Sequence, residues 1–194
     1  MGGGPVWGIA GVTTRVVLTG PESTGKTTLA AAIAAAHGTP WLPEAARVYA
    51  ERRGLAGDDL TAADIDPIAR LAMEAEDAAL AARPRILVLD TDLISTVVYA
   101  RHYYDDAPAW LAAEAMRRRG DLYLLCETDL PWAPDGIRDR PYDRATLMAM
   151  FEAAMEEFGA TTRRVTGSGP ARLDAALRAV ATIAPLAPHA GSRP

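Results

Sequence analysis

Cysteine and lysine are almost absent from this sequence of 194 residues. Its one cysteine, Cys126, has no intramolecular partner, which excludes a disulfide framework and favours a reducing, cytoplasmic setting. No stretch approaches the roughly 18 uncharged apolar residues of a membrane span, and residues 1–14 lack the pattern of a signal peptide. The net charge of −5 argues against broad binding to nucleic acids or anionic membranes. The composition therefore predicts one globular domain without nucleic-acid or membrane partners.

Of the 20 basic residues, 19 are arginine and one, Lys26, is lysine. We attribute the arginine bias to the nucleotide composition of the source genome. Against that bias, Lys26 indicates a position that requires an ammonium group on a flexible stem, because the planar fork of arginine does not fit every phosphate site.

Short apolar runs alternate with helical stretches between Arg15 and Ile183, and 40 alanines favour the helices. Asp66 is the predicted N-cap, and Pro67 the first helical residue, of a long helix that ends near Ala82. Such alternation predicts right-handed βαβ units, hence an α/β fold with a parallel sheet covered by helices on both faces. We expect a single domain at 15–183 between flexible tails at 1–14 and 184–194. Strands are expected at 15–19, 39–43, 85–90, 121–126 and 162–166, and helices at 27–36, 44–53, 66–82, 93–103, 108–119, 142–158 and 171–183.

Residues 20–27 read Gly-Pro-Glu-Ser-Thr-Gly-Lys-Thr and match the G-x-x-x-x-G-K-[ST] motif at every fixed position. The motif follows a predicted strand and opens a helix, as phosphate binding requires. Gly20 and Gly25 let backbone amides wrap a β-phosphate, Lys26 reaches the β- and γ-phosphates, and the Thr27 hydroxyl binds Mg²⁺. A guanine-specific switch needs a second lysine, so the sequence favours a small ATP-dependent kinase.

Candidate carboxylates follow two strands, where parallel sheets place their sites. Asp90 ends a strand and is the predicted metal-side residue. Asp92 either orients and deprotonates the accepting hydroxyl or only caps the next helix. Glu44 is a rival base, or a solvated helix start paired with Arg47. The sequence favours Asp92, because it follows the most rigid strand and phosphoryl transfer rewards rigid placement of the acceptor.

Residues 129–144 read DLPWAPDGIRDRPYDR and lie where a small kinase carries its lid. Arg138 and Arg140, together with Arg144, are expected to close over the phosphates and to stabilise charge in the transition state. A polar surface loop is the alternative interpretation.

Two aromatic residues, Tyr99 and Trp132, are candidates for stacking on a planar substrate ring. Tyr99 is four residues from Tyr103, a spacing that also suits two core positions on one helix face.

The segments GPESTGKTTL, PWLPEAARVYAE, LDTDLISTVVYARHYY and LYLLCETDLPWAPDGIRDR occur in this order. With this spacing they resemble the nicotinamide riboside kinase domain of bacterial bifunctional or trifunctional NAD-biosynthesis regulators. The resemblance runs from about Arg15 to Ile183. It implies a P-loop kinase fold with five parallel strands, order 2-3-1-4-5 or close to it, and a lid. It also implies ATP-dependent phosphorylation of the ribose 5′-hydroxyl of nicotinamide riboside to nicotinamide mononucleotide.

The same resemblance assigns residues to ligands. Glu44, Arg47, Asp90 and Asp92 would face the metal and the ribose, and Trp132 and Arg138 the lid side. Only 14 residues precede the first predicted strand, so the adenylyl transfer and DNA-binding regulation of that family are not expected. Two alternatives stay open: a kinase of another nucleoside or small alcohol, and a non-catalytic ATP-binding switch. ATP and Mg²⁺ would be held by Gly20, Pro21, Glu22, Ser23, Thr24, Gly25, Lys26, Thr27 and Thr28.

Overall fold

Five parallel strands form the centre of the fold. The computed structural model describes residues 13–55, 59–131 and 144–184. The strand order is β2-β3-β1-β4-β5, which confirms the predicted order. Leu18 of the central strand is level with Asp90 on one side and with Leu124 on the other, so the carboxyl ends of three strands meet at one edge. The strands are β1 (Thr14–Thr19), β2 (Trp41–Leu42), β3 (Ile86–Asp90), β4 (Leu122–Cys126) and β5 (Thr162–Val165).

Helices cover both faces of the sheet. Val16 and Leu18 of β1 face a cluster that includes residues of α1 and α7, whereas Val17 between them faces residues of α3 to α6. Both faces of the central strands are therefore buried, which explains their continuous apolar sequences. No helix in the described ranges is long and apolar enough to cross a membrane. The helices are α1 (Lys26–His37), α2 (Ala45–Arg53), α3 (Ile65–Ala81), α4 (Leu93–Tyr104), α5 (Ala109–Arg117), α6 (Arg144–Glu157) and α7 (Gly169–Ala181).

The start of α3 differs from the prediction. Asp66 is not the N-cap, because the helix begins at Ile65, directly after a short 3-10 turn at Ala62–Asp64. A capping box between Thr61 and Asp64 begins that turn. Asp66 lies in the first turn of α3, where its carboxylate accepts a hydrogen bond from Arg70 at 2.9 Å. The predicted N-cap at Asp66 is therefore wrong, because the N-cap position of α3 belongs to Asp64.

Candidate functional site

The loop between β1 and α1 has backbone conformations that suit glycine at two positions. Gly20 has φ 126°, and a Cβ atom there would lie 2.8 Å from the carbonyl oxygen of Cys126 at the end of β4. Gly25 has φ 76° and is the N-cap of α1. The loop therefore packs its backbone against β4 and delivers the chain into the N-terminus of α1, where free backbone N–H groups favour anions.

Lys26 is buried within this loop. Its Nζ donates a hydrogen bond to the carbonyl oxygen of Pro21 at 2.6 Å, and the hydroxyl of Thr24 donates to the same oxygen at 2.8 Å. These two bonds close the loop on itself and hold the ammonium over its backbone. Such a placement suits an ammonium that contacts a phosphate bound in the loop.

Thr27 and Asp90 form an oxygen pair beside the loop. The hydroxyl of Thr27 donates to Oδ2 of Asp90 at 2.5 Å. Asp90 is 1% exposed, and among the described residues its Oδ1 has no hydrogen-bond partner. Burial, with a further contribution from the charge of Glu44, raises the pKa of Asp90 to about 6. A buried carboxylate oxygen without a partner, next to a hydroxyl, fits the hard oxygen ligands that Mg²⁺ prefers.

Glu44 and Arg47 are near enough to Asp90 for their charges to act on its carboxyl group. Glu44 is the N-cap residue of α2 and Arg47 lies one turn further on. Their charges act on Asp90 in opposite directions: Glu44 raises the pKa of that carboxyl and Arg47 lowers it, as Lys26 does. The Asp90 carboxyl group therefore bonds to Thr27 and is influenced by the charges of Lys26, Glu44 and Arg47.

Asp92 faces a different set of groups. Its Oδ1 accepts the N–H of Ser95 at 3.2 Å, so it caps α4, and its Oδ2 accepts the hydroxyl of Tyr123 at 2.5 Å. Burial raises the pKa of Asp92 to about 6, and the nearby charge of Glu76 adds to that rise. The capping interpretation is confirmed; the catalytic role stays a prediction.

A cavity of about 220 Å³ lies between α2, α3 and α4. Its walls are largely apolar, and its charged lining residues are Glu44, Arg52, Glu76 and Asp92. Tyr99 forms part of the wall and is itself 6% exposed, with its hydroxyl 3.4 Å from the carbonyl oxygen of Gly20. One wall of the cavity therefore contacts the loop directly. Whether Tyr99 stacks on a ligand stays a prediction.

A second cavity, of about 420 Å³, lies on the other side of the loop. Its lining is almost entirely apolar and comes from α1, α7 and the chain after β4. Thr28, which is exposed on the first turn of α1, borders it. The residues that line it include Gly25, Leu29, Leu130, Pro170 and Leu173.

Two buried charged residues of this region were not predicted from the sequence. Glu76 is 5% exposed in α3 and accepts hydrogen bonds from Arg15 at 3.0 Å and, more weakly, from Arg118 at 3.5 Å. Arg172 of α7 is 4% exposed. Each is a charged residue at helical spacing from apolar ones, and that interruption of an apolar face was the available signal.

Glu22 was assigned to the loop by its position in the motif, but its partner was not predicted. The Glu22 side chain is buried, and its Oε1 accepts a hydrogen bond from the hydroxyl of Tyr103 at 2.8 Å. Tyr103 lies one turn after Tyr99 on α4, so two tyrosine hydroxyls of one helix contact the loop.

Trp132, Arg138 and Arg140 lie outside the described residues, and the lid at 129–144 stays a prediction. Arg144 is described at the start of α6. Its guanidinium donates to the carbonyl oxygens of Leu130 at 3.2 Å and of Ser23 at 3.4 Å. This predicted lid arginine therefore contacts the loop backbone.

The sheet order, the loop and the Thr27–Asp90 pair define a nucleotide-binding P-loop domain. The family model described as "AAA domain" matches residues 15–172. The chain belongs to this family.

Two curated relatives are both called trifunctional NAD biosynthesis/regulator protein NadR, from Escherichia coli and Salmonella typhimurium. Each is 30% identical over 151 residues, which cover 74% of this chain and 37% of the relative. The chain thus spans little more than a third of the length of the curated relatives it matches. This relationship confirms the resemblance to the NAD-biosynthesis regulators.

Solved structures show the same fold. NadR protein in complex with NR superposes with a TM-score of 0.73 at 24% identity, over 93% of this chain and 52% of that chain. NadR protein with NAD and AMP-PNP gives a TM-score of 0.72 at 24% identity, with the same coverage. Thymidylate kinase from Ehrlichia chaffeensis gives 0.61 at 13% identity, over 88% and 98% of the two chains.

Proposed function

We propose that this chain is an ATP-dependent kinase that phosphorylates the 5′-hydroxyl of nicotinamide riboside and releases nicotinamide mononucleotide. The observation that carries the proposal is the contact between the P-loop and the 220 Å³ cavity through Tyr99. A phosphate donor held by the loop and an acceptor held in that cavity would lie side by side. The relationship to the NadR proteins supports this choice of acceptor.

On the donor side, residues 20–28 would hold the phosphates of ATP, and the apolar 420 Å³ cavity would take its base. Lys26 would leave the carbonyl of Pro21 for the β- and γ-phosphates. Thr27 and Asp90 would hold Mg²⁺, which when bound neutralises charge on the transferring phosphoryl group. The Oδ1 of Asp90, which has no hydrogen-bond partner in the part of the chain that the structure describes, supports that assignment.

On the acceptor side, we assign the orientation of the 5′-hydroxyl to Glu44. Its charge acts on Asp90, the metal-side residue, whereas the oxygens of Asp92 are taken by Ser95 and Tyr123. Phosphoryl transfer requires the acceptor to be aimed rather than strongly deprotonated. Glu44, a carboxylate near Asp90, could orient the hydroxyl in this way. Asp92 would instead form part of the cavity wall.

The charged residues that line the acceptor cavity favour a ligand with a cationic ring. The cavity is lined by three carboxylates and one guanidinium, although Glu76 is already paired with Arg15 and Arg118. Nicotinamide riboside carries a positive pyridinium ring, and a site with excess negative charge attracts such a ligand.

We include in the proposal one kinase domain at 15–183, tails at 1–14 and 184–194, and a lid at about 129–144 that contributes Arg138 and Arg140.

The test is an ATP-consumption panel with Mg²⁺ or with a chelator, in which the phosphorylated product is identified by mass. Acceptors are nicotinamide riboside, its reduced and uncharged form, and the common neutral nucleosides. We expect Mg²⁺-dependent turnover with kcat/KM highest for the cationic riboside. A neutral nucleoside as the best acceptor would transfer the function to another nucleoside kinase. Nucleotide binding without turnover on any acceptor would favour the non-catalytic switch.

The Glu44→Gln variant tests the assignment of the orienting carboxylate. We expect kcat to fall by at least about 100-fold, the lower end of general-base contributions, with little change in thermal stability. Glu51→Gln is the matched control, because Glu51 is an exposed carboxylate on the same helix. Near-normal turnover of Glu44→Gln would contradict the assignment.

A further inference from the structure

Arg172 makes a set of contacts that neither the motif nor the proposed reaction uses. Its Nη2 donates to the carbonyl oxygen of Thr24 in the P-loop at 2.9 Å and to that of Glu127 at 3.3 Å. Its Nη1 donates to Oδ1 of Asp129 at 2.8 Å and to the carbonyl oxygen of Gly167 at 2.9 Å. One buried guanidinium thus joins the P-loop, the chain after β4 and the loop before α7.

The bond to Thr24 acts on the peptide that leads into α1. In a trans peptide the C=O and the following N–H point in opposite directions. A carbonyl of Thr24 held by Arg172 therefore turns the N–H of Gly25 to the other side of the loop, away from α7. P-loops bind phosphates through backbone N–H groups of this segment, so the orientation of this peptide matters for nucleotide binding.

Arg172 interrupts an otherwise apolar, buried face of α7, which indicates that its guanidinium has a specific role. Ala176 and Val180, four and eight residues further along α7, are fully buried apolar residues on the same helix face. An apolar side chain at position 172 would continue that face. Instead the helix buries a charge, whose Nε has no hydrogen-bond partner among the described residues. Burying a guanidinium in this way carries a desolvation cost.

Asp129 completes the arrangement. Its Oδ1 pairs with Arg172 and its Oδ2 accepts the N–H of Gly167 at 2.5 Å. Arg172 also borders the 420 Å³ cavity beside the loop. The guanidinium therefore connects the wall of that cavity with the backbone of the phosphate loop.

We propose that Arg172 is a positioning residue for the phosphate donor. It holds the Thr24–Gly25 peptide in the orientation that phosphate binding needs, and it links this peptide to the wall of the apolar cavity beside the loop. This inference rests on the proposed use of the loop and that cavity for ATP. It does not depend on the identity of the acceptor.

The experiment compares Arg172→Met and Arg172→Lys with Arg178→Met, a matched control because Arg178 is exposed on the same helix. Binding of Mg²⁺–AMP-PNP is measured by calorimetry, thermal unfolding is recorded in parallel, and KM values follow. We expect Arg172→Met to weaken AMP-PNP binding and raise the KM for ATP by at least about tenfold, the equivalent of one charge-assisted hydrogen bond. The KM of the acceptor should stay within about twofold, and Arg172→Lys should restore part of the affinity.

Val180→Ala separates positioning from plain stability, because it removes buried apolar volume from the same face of α7 and leaves the bond from Arg172 to Thr24 in place. We expect it to lower the melting temperature while AMP-PNP affinity changes little. Equal affinity losses in Val180→Ala and Arg172→Met, in proportion to their losses of stability, would overturn the inference, as would unchanged affinity in Arg172→Met. A wild-type protein that binds AMP-PNP but phosphorylates no acceptor would overturn the proposed function alone. A wild-type protein that binds no AMP-PNP would overturn both.

Discussion

Replacing Asp92 with asparagine is expected to leave turnover within about fivefold of the wild type, whereas alanine at this position is expected to destabilise the fold. The amide oxygen of asparagine can still accept the N–H of Ser95, and its amide nitrogen can donate to the Tyr123 hydroxyl, which reverses the present bond. The substitution also removes a buried carboxyl group, the pKa of which is raised to about 6 by burial. Asp92→Asn should therefore be no less stable than the wild type at neutral pH.

The difference between the two variants has a calculable size, because both lack the charge. Alanine loses the helix cap, worth about 1 kcal/mol. It also removes the side-chain hydrogen-bond partner that asparagine still offers to the buried Tyr123 hydroxyl, a cost of about 1–3 kcal/mol. Asp92→Ala should thus be about 2–4 kcal/mol less stable than Asp92→Asn. At about 2–4 °C per kcal/mol for a protein of this size, its melting temperature should be lower by roughly 5–15 °C.

The assays are thermal unfolding and steady-state kinetics with saturating acceptor, with wild type and Glu44→Gln run in parallel. If Asp92→Asn lost 100-fold or more in kcat while its melting temperature stayed at the wild-type value, the structural interpretation would be refuted. The role of orienting the hydroxyl would then return to Asp92, as the sequence predicted.

Three further predictions concern the loop and the lid. Lys26→Ala should abolish phosphoryl transfer, measured by steady-state kinetics, while circular dichroism shows an intact fold. Lys26→Arg should also be a poor enzyme, because the guanidinium cannot adopt the same phosphate geometry. Near-normal turnover of Lys26→Ala would contradict the proposal that the protein is a kinase. Arg138→Ala and Arg140→Ala should lower kcat more than they weaken ATP binding, and a raised KM for ATP with unchanged kcat would make them ground-state binders. Gly20→Ala should cost at least about 2 kcal/mol in denaturant unfolding, since its Cβ would lie 2.8 Å from the Cys126 carbonyl oxygen; Gly38→Ala, which has a positive φ but open space, is the milder control.

The element types followed from the sequence because they depend on local patterns, whereas the strand order was expected from the family resemblance. Continuous apolar runs, helical stretches between them and the connection rules leave few topologies for a parallel sheet. Boundaries were less accurate, as at α3, where the capping box of Thr61 and Asp64 competes with the signal of Asp66. There the side chains of Thr61 and Asp64 accept hydrogen bonds from each other's backbone N–H groups, so the helical conformation begins before Asp66.

The sequence by itself determined the phosphate loop, because all of its essential residues lie within eight consecutive positions and their geometry follows from glycine and a helix start. It also placed Asp90 at the edge of the sheet. Only the tertiary structure decided the partners of Asp92, which bonds to a tyrosine 31 residues away, and of Arg172, which bonds to a carbonyl 148 residues away. Hydrogen-bond partners so distant in sequence are selected by how helices pack on the sheet, and spacing along the chain carries no information about that packing.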